Sequence, residues 1–439
     1  MMARKDKKSH RGDHCKNPKS IKKYPLDCNT SANEVFSMPF LCDINTISNI
    51  KKHGRIMFII RGPPYTMKTK LSDLLKEIYQ NAVYCSAVKH IDKYSTGGKM
   101  VFDKSVKQLT HTICQKKAEE ACLNNELIIV QNSHIKKFEL KPYLNLAVKY
   151  DYTVIMAITT YKFDITIEVL DEAEKQRNGG LGSKYLSTAL KNWEDVPPMY
   201  TGWFISPQDS ECLRCITSQI LETLSYCEAV LKHLASDDIT NYFHPRQMLS
   251  CLAGYTKDQA AMKKYYMSDL IQLSYGKCFI ITIVGYLVTT SDIIGIVHLN
   301  RDMKSLILYD LNEDDDESLD QMPGNISQHG KTVEFDNKEI YELGRITEND
   351  WLEGEEINIA MSSFMHIAQR NFNVFNLHKL RKDFKESLQF VTDTNGIIHQ
   401  DVYIDDGTTK FCKLTEDALL IKAPQKILMN AIFTGFYPD

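Results

Sequence analysis

The sequence predicts an α/β N-terminal half built on a parallel sheet, followed by an α+β half in which one long helix precedes a run of strands. Three observations carry this. Apolar strands alternate with helical patterns up to about residue 160, an order that implies parallel pairing. After Trp203-Phe204 the alternation stops. The length of 439 residues suits two cores better than one, since domains run roughly 100 to 200 residues.

Taken in order, residues 1 to about 32 carry Arg4, Lys5, Lys7, Lys8 and Arg11 among many cations, with almost nothing apolar. Such a segment cannot offset its ordering entropy and is expected to be a disordered basic tail. An electrostatic arm for RNA or an acidic surface and a plain solvated extension are equally open readings.

Next come the strand Ile56–Ile60, a turn, and a helical run from Leu71 to Tyr79. Leu127–Val130 and Val154–Ile158 are further strands, with a helix over Phe138–Lys149 between them. The boundary is placed near residue 196, at Pro197-Pro198, giving units 33–195 and 196–439. Beyond it lie an amphipathic helix over Ser210–Leu234 and strands at Phe279–Val288, Ile294–Leu299, Ile357–Met361 and Ala431–Phe436.

Composition excludes several classes. The net charge of -3 gives no global pull toward nucleic acid or acidic lipid. Twelve cysteines without a framework and the lack of a signal-peptide apolar region point to reduced thiols in the cytoplasm. The run Cys278–Val288 is about half of the roughly 20 residues a spanning helix needs, and the last four residues, Phe436 to Asp439, hold no cysteine for a prenyl group. The acidic loop Asp310–Asp320 is EF-hand-like in composition only, with Asp315 where glycine is required and Gln321 at the twelfth position. Cys212-Leu213-Arg214-Cys215 has zinc-like spacing but lies on one continuous helix, which cannot close a tetrahedral site. No metal is expected.

Gly62-Pro63-Pro64-Tyr65-Thr66-Met67-Lys68-Thr69 stands between strand and helix where a G-x-x-x-x-G-K-[ST] loop would stand. Such a loop aims backbone N–H groups at phosphate, with the lysine on the terminal phosphates and the hydroxyl on Mg²⁺. Here the second glycine is Met67, whose side chain is expected to crowd the phosphate and to cost about 1–2 kcal/mol in any left-handed conformation. Gly62, Lys68 and Thr69 leave weak nucleotide binding open, against the alternative of an inherited turn.

Met38-Pro39-Phe40-Leu41, Ile60-Arg61-Gly62-Pro63-Pro64, Tyr200-Thr201-Gly202-Trp203-Phe204 and Ala431-Ile432-Phe433-Thr434-Gly435-Phe436-Tyr437 together resemble the 2′,3′-cyclic nucleotide 3′-phosphodiesterase (CNPase) family, in order and spacing from about residue 36 to the end. The resemblance implies a polynucleotide-kinase-like P-loop domain and a 2H phosphoesterase domain. The latter hydrolyses a cyclic phosphate to a nucleoside 2′-phosphate without metal, through two H-x-[ST] motifs. Residues i and i+2 of a strand share a face, so each histidine comes with a hydroxyl for a phosphate oxygen.

On this resemblance the first motif falls on Ser250-Cys251-Leu252 and the second on Asn358-Ile359-Ala360. None of the 13 histidines stands two residues before serine or threonine. Losing two acid–base groups forfeits on the order of 10⁴ or more in rate. In the kinase-like half, Gln131-Asn132-Ser133-His134 stands where a metal-binding carboxylate is implied, and Val88 where a Ser-x-Asp aspartate is implied, which removes the parts phosphoryl transfer needs. Arg177-Asn178 resembles a lid element that could touch phosphate, an exposed helix-end arginine being the plainer reading. The expectation is an inactive protein that binds nucleotide, RNA ends or a protein partner; the alternative is an active phosphodiesterase using a divergent site.

Overall fold

The computed structural model describes residues 36–91, 104–124, 127–161, 163–177, 180–226, 248–256, 258–289, 292–308, 363–369, 411–415 and 418–437, with short pieces at 231, 244–245, 345–346 and 357–358. The basic tail, the acidic loop, Asn178 and Ala360 lie outside them.

The first half opens with α1 (Pro39–Cys42) and α2 (Ile44–His53). Asp43 caps α2 by accepting from Thr46 N at 2.6 Å, and Gly54 ends it at φ 77°. Then follow β1 (Ile56–Arg61), α3 (Lys68–Ile78), β2 (Val83–Cys85), α4 (Val88–Ile91), α5 (Lys104–Leu123), β3 (Ile128–Gln131), α6 (Lys137–Lys149) and β4 (Thr153–Ile158). The strands form a parallel sheet in the order β2-β3-β1-β4. β1 and β3 are buried along their whole length, which is why they read as unbroken apolar runs. Two helices, α7 (Ile167–Gln176) and α8 (Ser183–Lys191), complete this half.

The second half starts at β5 (Tyr200–Ile205) and α9 (Pro207–Ser225), then β6 (His244–Pro245), β7 (Ser250–Tyr255), α10 (Gln259–Tyr266), α11 (Asp269–Ser274), β8 (Cys278–Thr289), β9 (Asp292–His298) and α12 (Arg301–Lys304). It ends with β10 (Arg345–Ile346), β11 (Ile357–Asn358), β12 (Ser363–Gln369), β13 (Phe411–Thr415) and β14 (Ala418–Phe436). β14 pairs with β5 on one side and β8 on the other, so β14-β5-β7-β12-β9-β8 close into an antiparallel, barrel-like ring. Closure removes sheet edges that would otherwise need covering. Pro424, which has no N–H to give a ladder, lies in the register shift of β14 between Lys422 and Ile427.

The two halves meet along the outer edge of β4. Thr434 Oγ1 donates to Val154 O at 2.6 Å and Met156 N donates to Tyr275 Oη at 3.3 Å, so side chains of the second half occupy backbone groups of the parallel sheet. The expected division into two cores does not follow the two halves. One apolar cluster runs from Phe40 and Phe58 through Ile155 to Trp203 and Phe433, and the second covers the other face of the parallel sheet. The sheet separates the cores because each of its faces must be covered.

Candidate functional site

The carboxyl ends of β1, β3 and β4 converge at the center of the parallel sheet, where ligands of open α/β sheets bind. Gly62 N donates to Ser133 O at 3.1 Å, and Thr159 N donates to Arg61 O at 3.0 Å. A Cβ on Gly62 would stand 2.0 Å from Thr159 Oγ1 and 2.6 Å from Thr66 Oγ1, so only glycine fits between the loop and β4.

From this point the chain turns into α3, with Tyr65 at φ 63° and Met67 at φ 58°, ψ 15°. Met67 therefore does adopt the strained left-handed conformation. Its side chain, however, is 3% exposed and belongs to the apolar cluster with Phe58 and Leu71. The crowding of the loop expected from the sequence is not what Met67 does; core packing holds it in place. α3 begins without a side-chain cap, which leaves its N-terminus suited to an anion.

Lys68 is buried, and its Nζ donates to Pro63 O at 2.6 Å across the loop. Burial, with Arg177 adding like-charge repulsion, lowers its pKa to about 7. Thr66 Oγ1 donates to Pro63 O at 2.7 Å and shares a 2.6 Å hydrogen bond with Thr159 Oγ1. Arg177, at the end of α7, donates to Tyr65 O at 3.4 Å, and its guanidinium lies 6.0 Å from the Tyr65 ring centroid. Glu174 accepts from Leu181 N and Gly182 N at 2.6 and 2.7 Å, tying the turn after α7 to the same helix. Arg177 thus touches the loop itself.

Thr69, whose hydroxyl holds the metal position of such a loop, receives a 3.5 Å contact from Gln131 Nε2. Gln131 Oε1 accepts from Ser72 Oγ at 3.0 Å and from Tyr84 Oη. The group beside Thr69 is thus an amide, which can donate to phosphate but binds Mg²⁺ poorly. Asn132 is committed to structure: Oδ1 accepts from Ala87 N at 2.9 Å and Nδ2 donates toward Tyr143 Oη at 3.4 Å. Ser86 is buried with its hydroxyl unpartnered, while Val88 is 47% exposed. His134 ends the segment Gln131-Asn132-Ser133-His134. It is fully buried at φ 47°, both ring nitrogens lack partners, and burial beside Arg61 drives its pKa down to about 3.

In the ring, Ser250 and Leu252 are half-buried on β7 and flank the fully buried Cys251, whose partners are Trp203 on β5 and Met365 on β12. The expected partner strand differs. Asn358 lies on β11, whose two residues pair with β10 in a separate two-stranded sheet, Asn358 opposite Arg345. The strands beside β7 are β5 and β12, of which β12 carries His366-Ile367-Ala368. His366 has no H-x-[ST] pattern to mark it, since residue 368 is alanine; its one sequence signal is a histidine inside the apolar run Phe364 to Ile367. Cys212 and Cys215 are exposed on α9, and among the described residues no cluster of His, Cys, Asp and Glu is placed to hold a metal and no helix is long and apolar enough to cross a membrane.

Residues 197–330 match the family model of 2′,3′-cyclic nucleotide 3′-phosphodiesterase (CNP or CNPase). The rat 2′,3′-cyclic-nucleotide 3′-phosphodiesterase (Rattus norvegicus) is 26% identical over 312 residues, 66% of this chain and 70% of the rat protein. The Pongo abelii and Mus musculus enzymes of the same name are 24% and 25% identical, each over 57% of this chain and 61% of their own length. Among solved structures, a fungal RNA kinase covers 88% of this chain and 99% of its own at 10% identity and a TM-score of 0.27. A chain of an RNA repair complex covers 31% and 43% at 12% identity and a TM-score of 0.28.

Proposed function

We propose that this chain is a CNPase-like protein that binds a nucleotide or an RNA end and has lost efficient turnover of 2′,3′-cyclic phosphodiesters. The observation that supports this reading is that β7 holds Ser250 and Leu252 half-buried on either side of the buried Cys251, with no histidine among its residues; the family resemblance aligns the two with a histidine and a hydroxyl. A serine hydroxyl is too weak a base to activate water near pH 7 without a positioned partner. In this reading residues 33–195 act as a kinase-like phosphate-binding unit and 196–439 as a 2H-type unit. Gly62, Lys68, Thr69 and Arg177 supply nucleotide contacts, and Gln131 makes them independent of Mg²⁺.

A second reading rests on β12. A single histidine, His366, on the strand antiparallel to β7 leaves one acid–base group for a divergent phosphodiesterase. The deciding experiment is incubation of the purified chain with 2′,3′-cyclic AMP and detection of adenosine 2′-phosphate. Product at background level is expected. Turnover that His366→Ala abolishes would replace the first reading with the second.

A further inference from the structure

Arg61, the last residue of β1, is wholly buried. A buried charge is tolerated when its donors are matched and its charge is met. Nε and Nη2 donate to His134 O at 3.2 and 2.8 Å, Nη2 also reaches Glu194 O at 2.9 Å, and the guanidinium stacks on Trp193 at 4.2 Å. Those acceptors are neutral carbonyls. Nη1 has no acceptor, and among the described residues no carboxylate forms an ion pair with Arg61. Burial lowers its pKa only to about 10, so the group stays a cation at neutral pH.

Arg61 lines a cavity of about 240 Å³ where the two halves meet. Tyr161, Phe163 and Trp193 give it aromatic surface, and Lys263, from α10, brings a second cation. Lys263 is held at 2.5 Å by Asp195, also in the lining. Lys263 and Asp195 pair with each other and Asp269 accepts from Tyr161 at 2.9 Å, so Arg61 is the cation of the lining without an ion-pair partner among the described residues, and ring-lined walls with a few polar groups are the composition of small-ligand sites.

We infer that this cavity binds a small anionic ligand with one planar ring, of the mononucleotide class, its anionic group toward Arg61 and Lys263 and its ring among Tyr161, Phe163 and Trp193. The site is separate from the loop at 62–69 and does not rest on the reading of that loop or of β7.

The test uses the full chain with Lys68→Met, which removes loop charge while keeping the buried stem, and uridine monophosphate (UMP) as the probe. Calorimetry should show saturable UMP binding, at least tenfold weaker for uridine or inorganic phosphate alone. Lys263→Met, at a half-exposed position, should weaken UMP about five- to tenfold, the scale of one charge-assisted contact, with an unchanged melting temperature. UMP should also change the tryptophan fluorescence, and Trp193→Phe should remove that change and keep calorimetric binding. No UMP binding, binding indifferent to Lys263→Met, or phosphate alone binding as tightly as UMP would each overturn the assignment. Loss of UMP binding on Lys68→Met, with binding in the parent chain, would place the ligand in the loop and overturn it equally.

Discussion

Lys68 joins charge, burial and function in one residue. Its pKa of about 7 means that the ammonium is mostly protonated below pH 7 and loses its charge as pH rises through that value. ATP affinity should therefore fall between pH 6 and 8.5, with a slope approaching but not exceeding tenfold per pH unit. The difference between the parent chain and Lys68→Met cancels the titration of the phosphate itself; a pH-independent difference would show that Lys68 does not contact the anion. Gly62 makes a steric prediction. Gly62→Ala should destabilize the fold by about 1–3 kcal/mol in urea unfolding, the usual range for overpacking, and Thr159→Ala should recover part of the loss by removing the atom that the new Cβ meets. His134 makes a third. Its folded pKa is near 3, below the ordinary 6.5, so between these values the unfolded chain binds a proton that the folded chain refuses. Stability is therefore lost as pH falls from about 6.5 toward 3. His134→Asn, which tolerates the positive φ, should flatten that acid limb in denaturation curves measured from pH 7 to 4.

At the level of elements, the pairing of strands decides which residues can form one site. β7 has β5 and β12 as neighbors, and β11 belongs to another sheet. Restoring Ser250→His and Leu252→Thr together with Ala368→Thr, which leaves His366 in place, should raise hydrolysis of 2′,3′-cyclic AMP by 10² or more, the worth of one general acid–base group. The same β7 changes combined with Asn358→His and Ala360→Thr, and with His366→Ala, should stay near background. The reverse outcome, measured as adenosine 2′-phosphate formed per minute, would return the second motif to Asn358. Residue types alone left this open because both segments are strand-like and polar residues interrupt each of them.

For the whole molecule, the apolar cluster shared by the two sheets implies one cooperative unit. Heating should give a single transition by fluorescence and by circular dichroism, and the segment 33–195 expressed alone should be markedly less stable than in the full chain. Tyr275 is the most direct probe of the contact. Its Oη accepts from Met156 N and shares a 2.8 Å hydrogen bond with Tyr437 Oη, while Tyr437 Oη donates to Tyr266 Oη at 3.2 Å. Tyr275→Phe leaves a buried donor of β4 unmatched and should lower stability by about 1–3 kcal/mol. A separate early transition for one half would count against the shared core.

The sequence by itself determined the parallel strands β1, β3 and β4, the helices α3 and α6, and the loop at 62–69, because fully buried strands and amphipathic helices write their own periodicity into a short window. The helices matched to within a few residues: Leu71–Tyr79 became Lys68–Ile78, and Phe138–Lys149 became Lys137–Lys149. β7 and β12 carried no such signal, since half-buried ring strands mix polar and apolar residues. Tertiary structure alone decided that Met67 points into the core, that β14 closes the ring by pairing on both sides, that β12 lies against β7, and that Arg61 lines a cavity at the junction. The last three depend on residues about 100 to 200 positions apart meeting in space. Such contacts are set by register and packing, on which local propensity is silent.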